Sequence, residues 1–203
     1  PTGSILVLNQ TGGLSLGANT LTLSGGGTLQ SVGLDLNDPG SKLLLNSITV
    51  DSVSTSENSL GLDVNETSAI TSLLVGNITP VAIASGMSLS GGITVTGGSL
   101  KLAEQGTLAS AISMSSGTLA AEKSLTVSGT LTHTGNITID VADTKTLTYT
   151  GTAISLGANT LTLSGGGSLV SGGLTLNDAS SKLLLNSITV DSVSTSVDNS
   201  LGL

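Results

Sequence analysis

The chain has 203 residues and a formal net charge of -8, with no cysteine, phenylalanine or tryptophan and a single tyrosine, Tyr149. All five basic residues are lysine, which excludes the electrostatic footprint of a nucleic-acid or anionic-membrane binder. Charged residues make up only 9% of the chain, which argues against a helical protein, whose exposed faces are normally filled with Glu, Lys and Arg.

Taken from the N-terminus, nearly every segment is a short strand pattern with period-two alternation. The first runs are 4–8, 20–24, 33–36, 42–45 and 47–50; later come 93–95, 99–102, 125–127, 137–139 and 147–149. Between them stand turn-forming clusters such as Gly25-Gly26-Gly27, Asn37-Asp38-Pro39-Gly40, Gly91-Gly92 and Gly97-Gly98. The one weak helical candidate, 102–111, is interrupted by Gly106 and Thr107. Without aromatics, Leu, Ile, Val and Ala must fill the interior. That composition suits a narrow core in which one kind of side chain stacks on itself layer after layer.

Two periods organise these strands. Residues 16–56 return as 156–196 at a constant offset of 140, with 35 of 41 positions identical and every Leu and Ile kept. Self-similarity at a fixed period is the mark of a repeat architecture. The long repeat is 16–155, and the next copy starts at 156. A shorter period of 22 lies inside it: Leu125 and Val127 return as Leu147 and Tyr149, Leu147 as Leu169, Ile139 as Leu161 and then Leu183, and Leu21 as Leu43.

A 22-residue repeat holding about three short strands and Gly or Asn turns is what one coil of a β-solenoid requires. The predicted fold is therefore all-β: one continuous β-solenoid over 1–203, a right-handed parallel β-helix. Six coils per long repeat give a rise on the order of 30 Å. Because 140 is not a multiple of 22, some coils must be shorter or carry loops, for which 53–58 and 103–106 are the candidates. The competing all-β reading, a string of sandwich domains, is disfavoured by the short strands, the Gly triplets and the lack of a buried aromatic anchor. The chain opens on Pro1, and its last residues Leu201-Gly202-Leu203 match Leu60-Gly61-Leu62, where the first copy carries on. The expectation is a piece of a longer protein.

The segments A-N-T-L-T-L-S-G-G (18–26), S-L-T-V-S-G-T-L-T (124–132) and T-L-T-L-S-G-G-G (160–167) resemble the repeats of autotransporter passengers and filamentous haemagglutinin-like adhesins. The resemblance implies a large right-handed β-helix displayed on, or shed from, a Gram-negative cell surface, and so an extracellular location. No signal peptide, lipid-anchor signal or run of 18 apolar residues is visible, so no membrane insertion is expected of this segment.

Candidate chemistry is sparse. A β-helix polysaccharide lyase or hydrolase needs a positioned base or paired carboxylates, whereas Arg is absent and Lys42, Lys101, Lys123, Lys145 and Lys182 are scattered. No catalytic, cofactor-binding or metal-ligating residue is expected. The sole histidine, His133, has no partner for a metal site and reads as structural, while Tyr149 falls in line with Val127 and reads as core filling. Asp35, Asp38, Asp51, Asp63, Asp140, Asp143, Asp178 and Asp191 read as turn and strand-end caps; the G-G-x-G-x-D calcium signature is missing.

Thr22, Thr94, Thr126, Thr138, Thr148 and Thr162 each stand between two apolar strand residues, so alternation turns them outward. They are the candidate binding surface, although Thr also suits any solvent-facing strand. The expected function is a structural and adhesive repeat module: a rigid rod, fibre or stalk that self-associates through its ends or lateral faces and touches host or neighbouring-cell glycan or protein. The alternative is a solenoid that binds ice or glycan through its Thr faces, with a polysaccharide enzyme behind it.

Overall fold

A computed structural model describes residues 3–9, 12–31, 33–65, 68–77, 80–83, 88–89, 91–103 and 105–197. Short alternating strands separated by Gly, Asn and Ser corners cannot bury an apolar face alone, and here each stacks on the equivalent strand of the next coil. Among the described residues the chain forms 27 strands and no helix, and all strand pairing is parallel. The chain is a β-solenoid of about nine coils, each presenting three strands.

The first face is one nine-stranded sheet running from Thr20–Ser24 through Lys42–Asn46, Gly61–Asn65, Pro80–Ile83, Ser99–Leu102, Thr118–Ala121, Ile137–Val141 and Thr160–Ser164 to Lys182–Asn186. The second face begins with Ile5–Leu8 and Thr28–Ser31 and ends with Thr146–Tyr149, Ser168–Val170 and Thr189–Val190. The third begins with Leu14–Ser15 and Leu34–Leu36 and ends with Ile154–Ser155, Leu174–Leu176 and Val193–Thr195. Two longer strands, Thr49–Thr55 and Ala69–Val75, continue round the corner from the second face to the third.

Inward residues stack into aliphatic ladders. Leu43, Leu62, Leu100, Leu119 and Ile139 lie in register on the first face and are inaccessible to solvent. On the third face Leu34, Val53, Leu73, Ile93 and Ile112 do the same. Complete burial of such a side chain contributes about 1.5–3 kcal/mol, and the repetition of that term makes a narrow core sufficient.

The coil step varies. It is 22 residues where Leu21 meets Leu43, Leu125 meets Leu147, Leu147 meets Leu169 and Leu161 meets Leu183, as the spacing predicts. It shortens to 19 between Leu43 and Leu62 and between Leu100 and Leu119. Ile139, expected beneath Leu161, instead meets Leu163, a step of 24, while Ile137 meets Leu161. The corner at 142–145 supplies extra residues here, with Thr144 held at φ 62°. The long repeat therefore holds seven coils, not six: Leu34 and Leu174 occupy the same place on the third face, with Val53, Leu73, Ile93, Ile112, Leu131 and Ile154 between them. The rise is about 34 Å per unit at about 4.8 Å per coil.

Three local expectations are corrected. Val53 and Thr55, placed in a loop by the length mismatch, are buried strand residues. The region 102–111 contains the strand Gly106–Leu108 with Leu108 buried, because a single inward Leu between Gly and Ser serves a coil edge and not a helix face. Asp35, Asp63 and Asp140 lie within strands and not at turns. Asp35 accepts hydrogen bonds from Ser54 and Ser56 of the next coil at 2.9 and 2.7 Å, and Asp63 pairs with Lys42 at 2.8 Å.

The Asn-Asp corner behaves as its composition predicts and does so in both copies. Asp38 Oδ1 accepts the Gly40 amide, and Asp178 Oδ1 the Ser180 amide, each at 2.8 Å. Ser41 and Ser181 are inaccessible to solvent; their hydroxyls accept the amides of Asp38 and Asp178 and donate to Gly17 O and Gly157 O one coil back. The corner thus clamps each coil to the one before it. The match of Leu201-Gly202-Leu203 to the first copy lies outside the described residues.

Candidate functional site

The six candidate threonines do not share one surface. Thr22, Thr138 and Thr162 lie on the first face, Thr126 and Thr148 on the second and Thr94 on the third. Flanking side chains such as Ile93 and Val95, or Ile137 and Ile139, are buried, so each hydroxyl stands on the outer side of its strand. Thr22 and Thr94 are exposed and the other four half-exposed.

Register brings two pairs together: Thr138 with Thr162, and Thr126 with Thr148. Each pair belongs to a longer row that the sequence periods did not reveal. On the first face Ser99, Thr118, Thr138 and Thr162 are successive, ending at Leu184. On the second, Thr107, Thr126 and Thr148 are successive, ending at Val170. The third carries Thr94, Ser113 and Thr132, with Leu74 on the other side of Thr94. Thr22 is paired with Leu44 and joins none of these rows. The 19- and 20-residue steps hid the links to Ser99, Thr107 and Thr118. Such rows offer hydroxyl donors and acceptors at strand spacing, about 4.8 Å, over three or four coils at a time.

The two residues singled out as structural meet the interior. His133 follows Met114 in the inward row of the third face. Its Nδ1–H donates to Gly135 O at 3.1 Å, while Nε2 is buried without a hydrogen-bond partner. Tyr149 is 3% exposed, and its hydroxyl accepts the amide of Leu131 at 3.0 Å. On neighbouring coils the equivalent amides of Ile93, Ile112, Ile154 and Leu174 donate to backbone carbonyls, so the phenol stands in for a carbonyl. Gly151 makes room for it: a Cβ there would fall 2.2 Å from the phenol oxygen.

Ionic groups are few and outward. Lys101 pairs with Glu122 at 2.5 Å and Lys42 with Asp63 at 2.8 Å, both partly exposed, an environment in which such pairs contribute little. Among the described residues no three His, Cys, Asp or Glu side chains cluster closely enough to hold a metal ion. No helix there is long and apolar enough to cross a membrane.

Fold and surface together define a tandem-repeat parallel β-solenoid with polar, hydroxyl-rich outer faces. Comparison with protein-family models, with curated proteins and with solved structures finds no match for this chain.

Proposed function

We propose that the chain is a structural and adhesive rod segment of a large cell-surface or extracellular protein, its long repeat serving to extend the rod. The observation that carries this reading is the pattern of change between the two copies. The six differing positions, 28, 30, 32, 35, 39 and 40 against their partners 140 residues on, include none that is buried among the described residues, and every inward Leu and Ile is retained. Such a pattern preserves stacking and confines change to positions outside the core, which suits a scaffold better than a tuned catalytic centre.

Surface location rests on the resemblance of the T-L-T-L-S-G segments to autotransporter passengers and filamentous haemagglutinin-like adhesins. Contact with glycan or protein would fall to the polar outer rows. The test is electron microscopy of chains carrying increasing numbers of tandem units. Thin rods that lengthen by about 34 Å per unit are expected; compact particles strung on linkers would overturn the reading.

The second reading, a binder of ice or glycan, draws on the in-register rows Thr107-Thr126-Thr148 and Thr118-Thr138-Thr162. It predicts that Thr126→Val with Thr148→Val abolishes binding on a glycan array or inhibition of ice recrystallisation without altering the fold.

A further inference from the structure

Between two consecutive coils in the body of the solenoid the third face is not joined. Its strands pair in succession from Leu14–Ser15 to Leu131–His133 and again from Ile154–Ser155 to Val193–Thr195, but Leu131–His133 and Ile154–Ser155 belong to separate sheets. On the other two faces the same coils are paired, Leu125–Val127 with Thr146–Tyr149 and Ile137–Val141 with Thr160–Ser164. The two coils are thus tied along two sides and open on the third, which is the layout of a hinge.

The chain's one histidine and one tyrosine flank this break. In place of a carbonyl from the next coil, the Leu131 amide donates to the Tyr149 hydroxyl at 3.0 Å. At the other end of the same strand, His133 follows Met114 in the inward row, and the row resumes at Leu156 beyond the break; Met114 and Leu156 are inaccessible to solvent. Gly135 O can only accept, so its 3.1 Å bond to His133 Nδ1 puts the ring proton there and leaves Nε2 a bare lone pair. That atom is buried and has no hydrogen-bond partner. A neutral ring tolerates this arrangement. A protonated ring does not, because its second N–H then faces an aliphatic row with no acceptor. No carboxylate stands ready to receive it. The strands Ile112–Met114, Thr118–Ala121, Leu125–Val127 and Ile154–Ser155 carry no titratable side chain. On Ile137–Val141, Asp140 alternates outward and accepts from Ser164. At the corners, Glu122 pairs with Lys101, Lys123 and Asp143 are exposed and Lys145 is half-exposed. Tyr149 is the remaining titratable neighbour, and a phenol is neutral in acid.

From the break and the buried imidazole we infer that this junction is an acid-operated joint: proton uptake at His133 Nε2 drives the ring out of the inward row and parts the third face between Leu131–His133 and Ile154–Ser155, while the other two faces hold. No strand ladder crosses the break, so the bond from Leu131 to Tyr149 is what must give way. Because the closed joint takes only the neutral ring, it is stable on the alkaline side of the histidine range, roughly pH 5 to 8, and opens as pH falls through it. The inference concerns the solenoid itself and holds for either reading of its outer faces.

Tyr149 is also the reporter, since the chain has no Trp and no Phe and its near-ultraviolet circular dichroism comes from this one ring. Titrating the 203-residue chain from about pH 8 to about pH 5 abolishes that band and leaves the far-ultraviolet β-sheet signal in place. In assigned nuclear magnetic resonance spectra the Leu131 amide loses hydrogen-exchange protection about tenfold for each pH unit on the acid side of the histidine range, while the amides of Ile93 and Leu174 keep theirs. His133→Leu and His133→Gln, which lack a titrating ring, retain the tyrosine band at both extremes. A band that is unchanged in the wild-type chain, lost together with the far-ultraviolet signal, or lost equally in a folded variant overturns the inference. Should neither variant fold, the wild-type chain decides alone: the His133 ring resonances must titrate where the band disappears, and a ring that takes up its proton with Leu131 still protected overturns the joint.

Discussion

Individual residues show most sharply where chemistry interrupts a repeating core. Tyr149 could be read from the sequence as core filling, since it falls one 22-residue step from Val127, and it is indeed buried. Its second role could not: no local pattern announces that its hydroxyl replaces a backbone carbonyl for Leu131, because that partner comes from the preceding coil across a corner. Gly151 carried the one available hint, a residue without a side chain just after the only aromatic. Tyr149→Phe keeps the ring but strands a buried amide, a loss of about 1–3 kcal/mol. Chemical denaturation should register that loss, while Thr148→Ala on the outer side of the same strand stays within about 0.5 kcal/mol. Equal effects of the two substitutions would show that the phenol contributes packing only. His133 offers the complementary lesson, since alternation between two threonines left its direction open, and the structure turns it inward behind Met114.

At the level of the strand, alternation made inward and outward positions legible almost throughout. Most Leu, Ile and Val point in and most Thr, Ser and Asp point out; the first-face exceptions among the described residues are Leu44 and Leu184, which stand outward beside Thr22 and Thr162. Register was less legible. A 22-residue spacing holds from Leu21 to Leu43, from Leu125 through Leu147 to Leu169 and from Leu161 to Leu183, but other steps are 19, 20 or 24 residues, in coils whose sequences are too dissimilar to reveal the change. Ile137–Val141 is the strand that absorbs the difference. It presents three buried residues, Ile137, Ile139 and Val141, where its neighbours Thr118–Ala121 and Thr160–Ser164 present two each, and so accommodates Leu119 and Ala121 on one side and Leu161 and Leu163 on the other. Ile139→Ala should open a cavity shared by two coils and cost about 2–5 kcal/mol. A loss below about 1 kcal/mol in equilibrium unfolding would mean that the neighbouring coils collapse onto the gap, and that this strand does not hold the two copies together.

For the molecule as a whole, stability in a solenoid is set by nearest neighbours along the axis, so position should outrank sequence in deciding which strands open. The two copies provide an internal control. Thr20–Ser24 and Thr160–Ser164 have the same sequence, yet Leu161 and Leu163 lie under a preceding coil and Leu21 and Leu23 do not. For Lys42–Asn46 and Lys182–Asn186 the asymmetry reverses, with Leu45 inaccessible and Leu185 at 42% exposure. Local opening draws on the contacts a segment makes. In dilute chain, amides of Thr20–Ser24 should therefore exchange faster than those of Thr160–Ser164, and amides of Lys182–Asn186 faster than those of Lys42–Asn46. Nuclear magnetic resonance with residue-specific assignment separates the identical segments. Intrinsic propensity cannot produce a difference whose sign inverts between two pairs of identical strands, whereas stacking on one neighbour instead of two requires it. Equal exchange within both pairs would mean that each strand is held by its own coil alone.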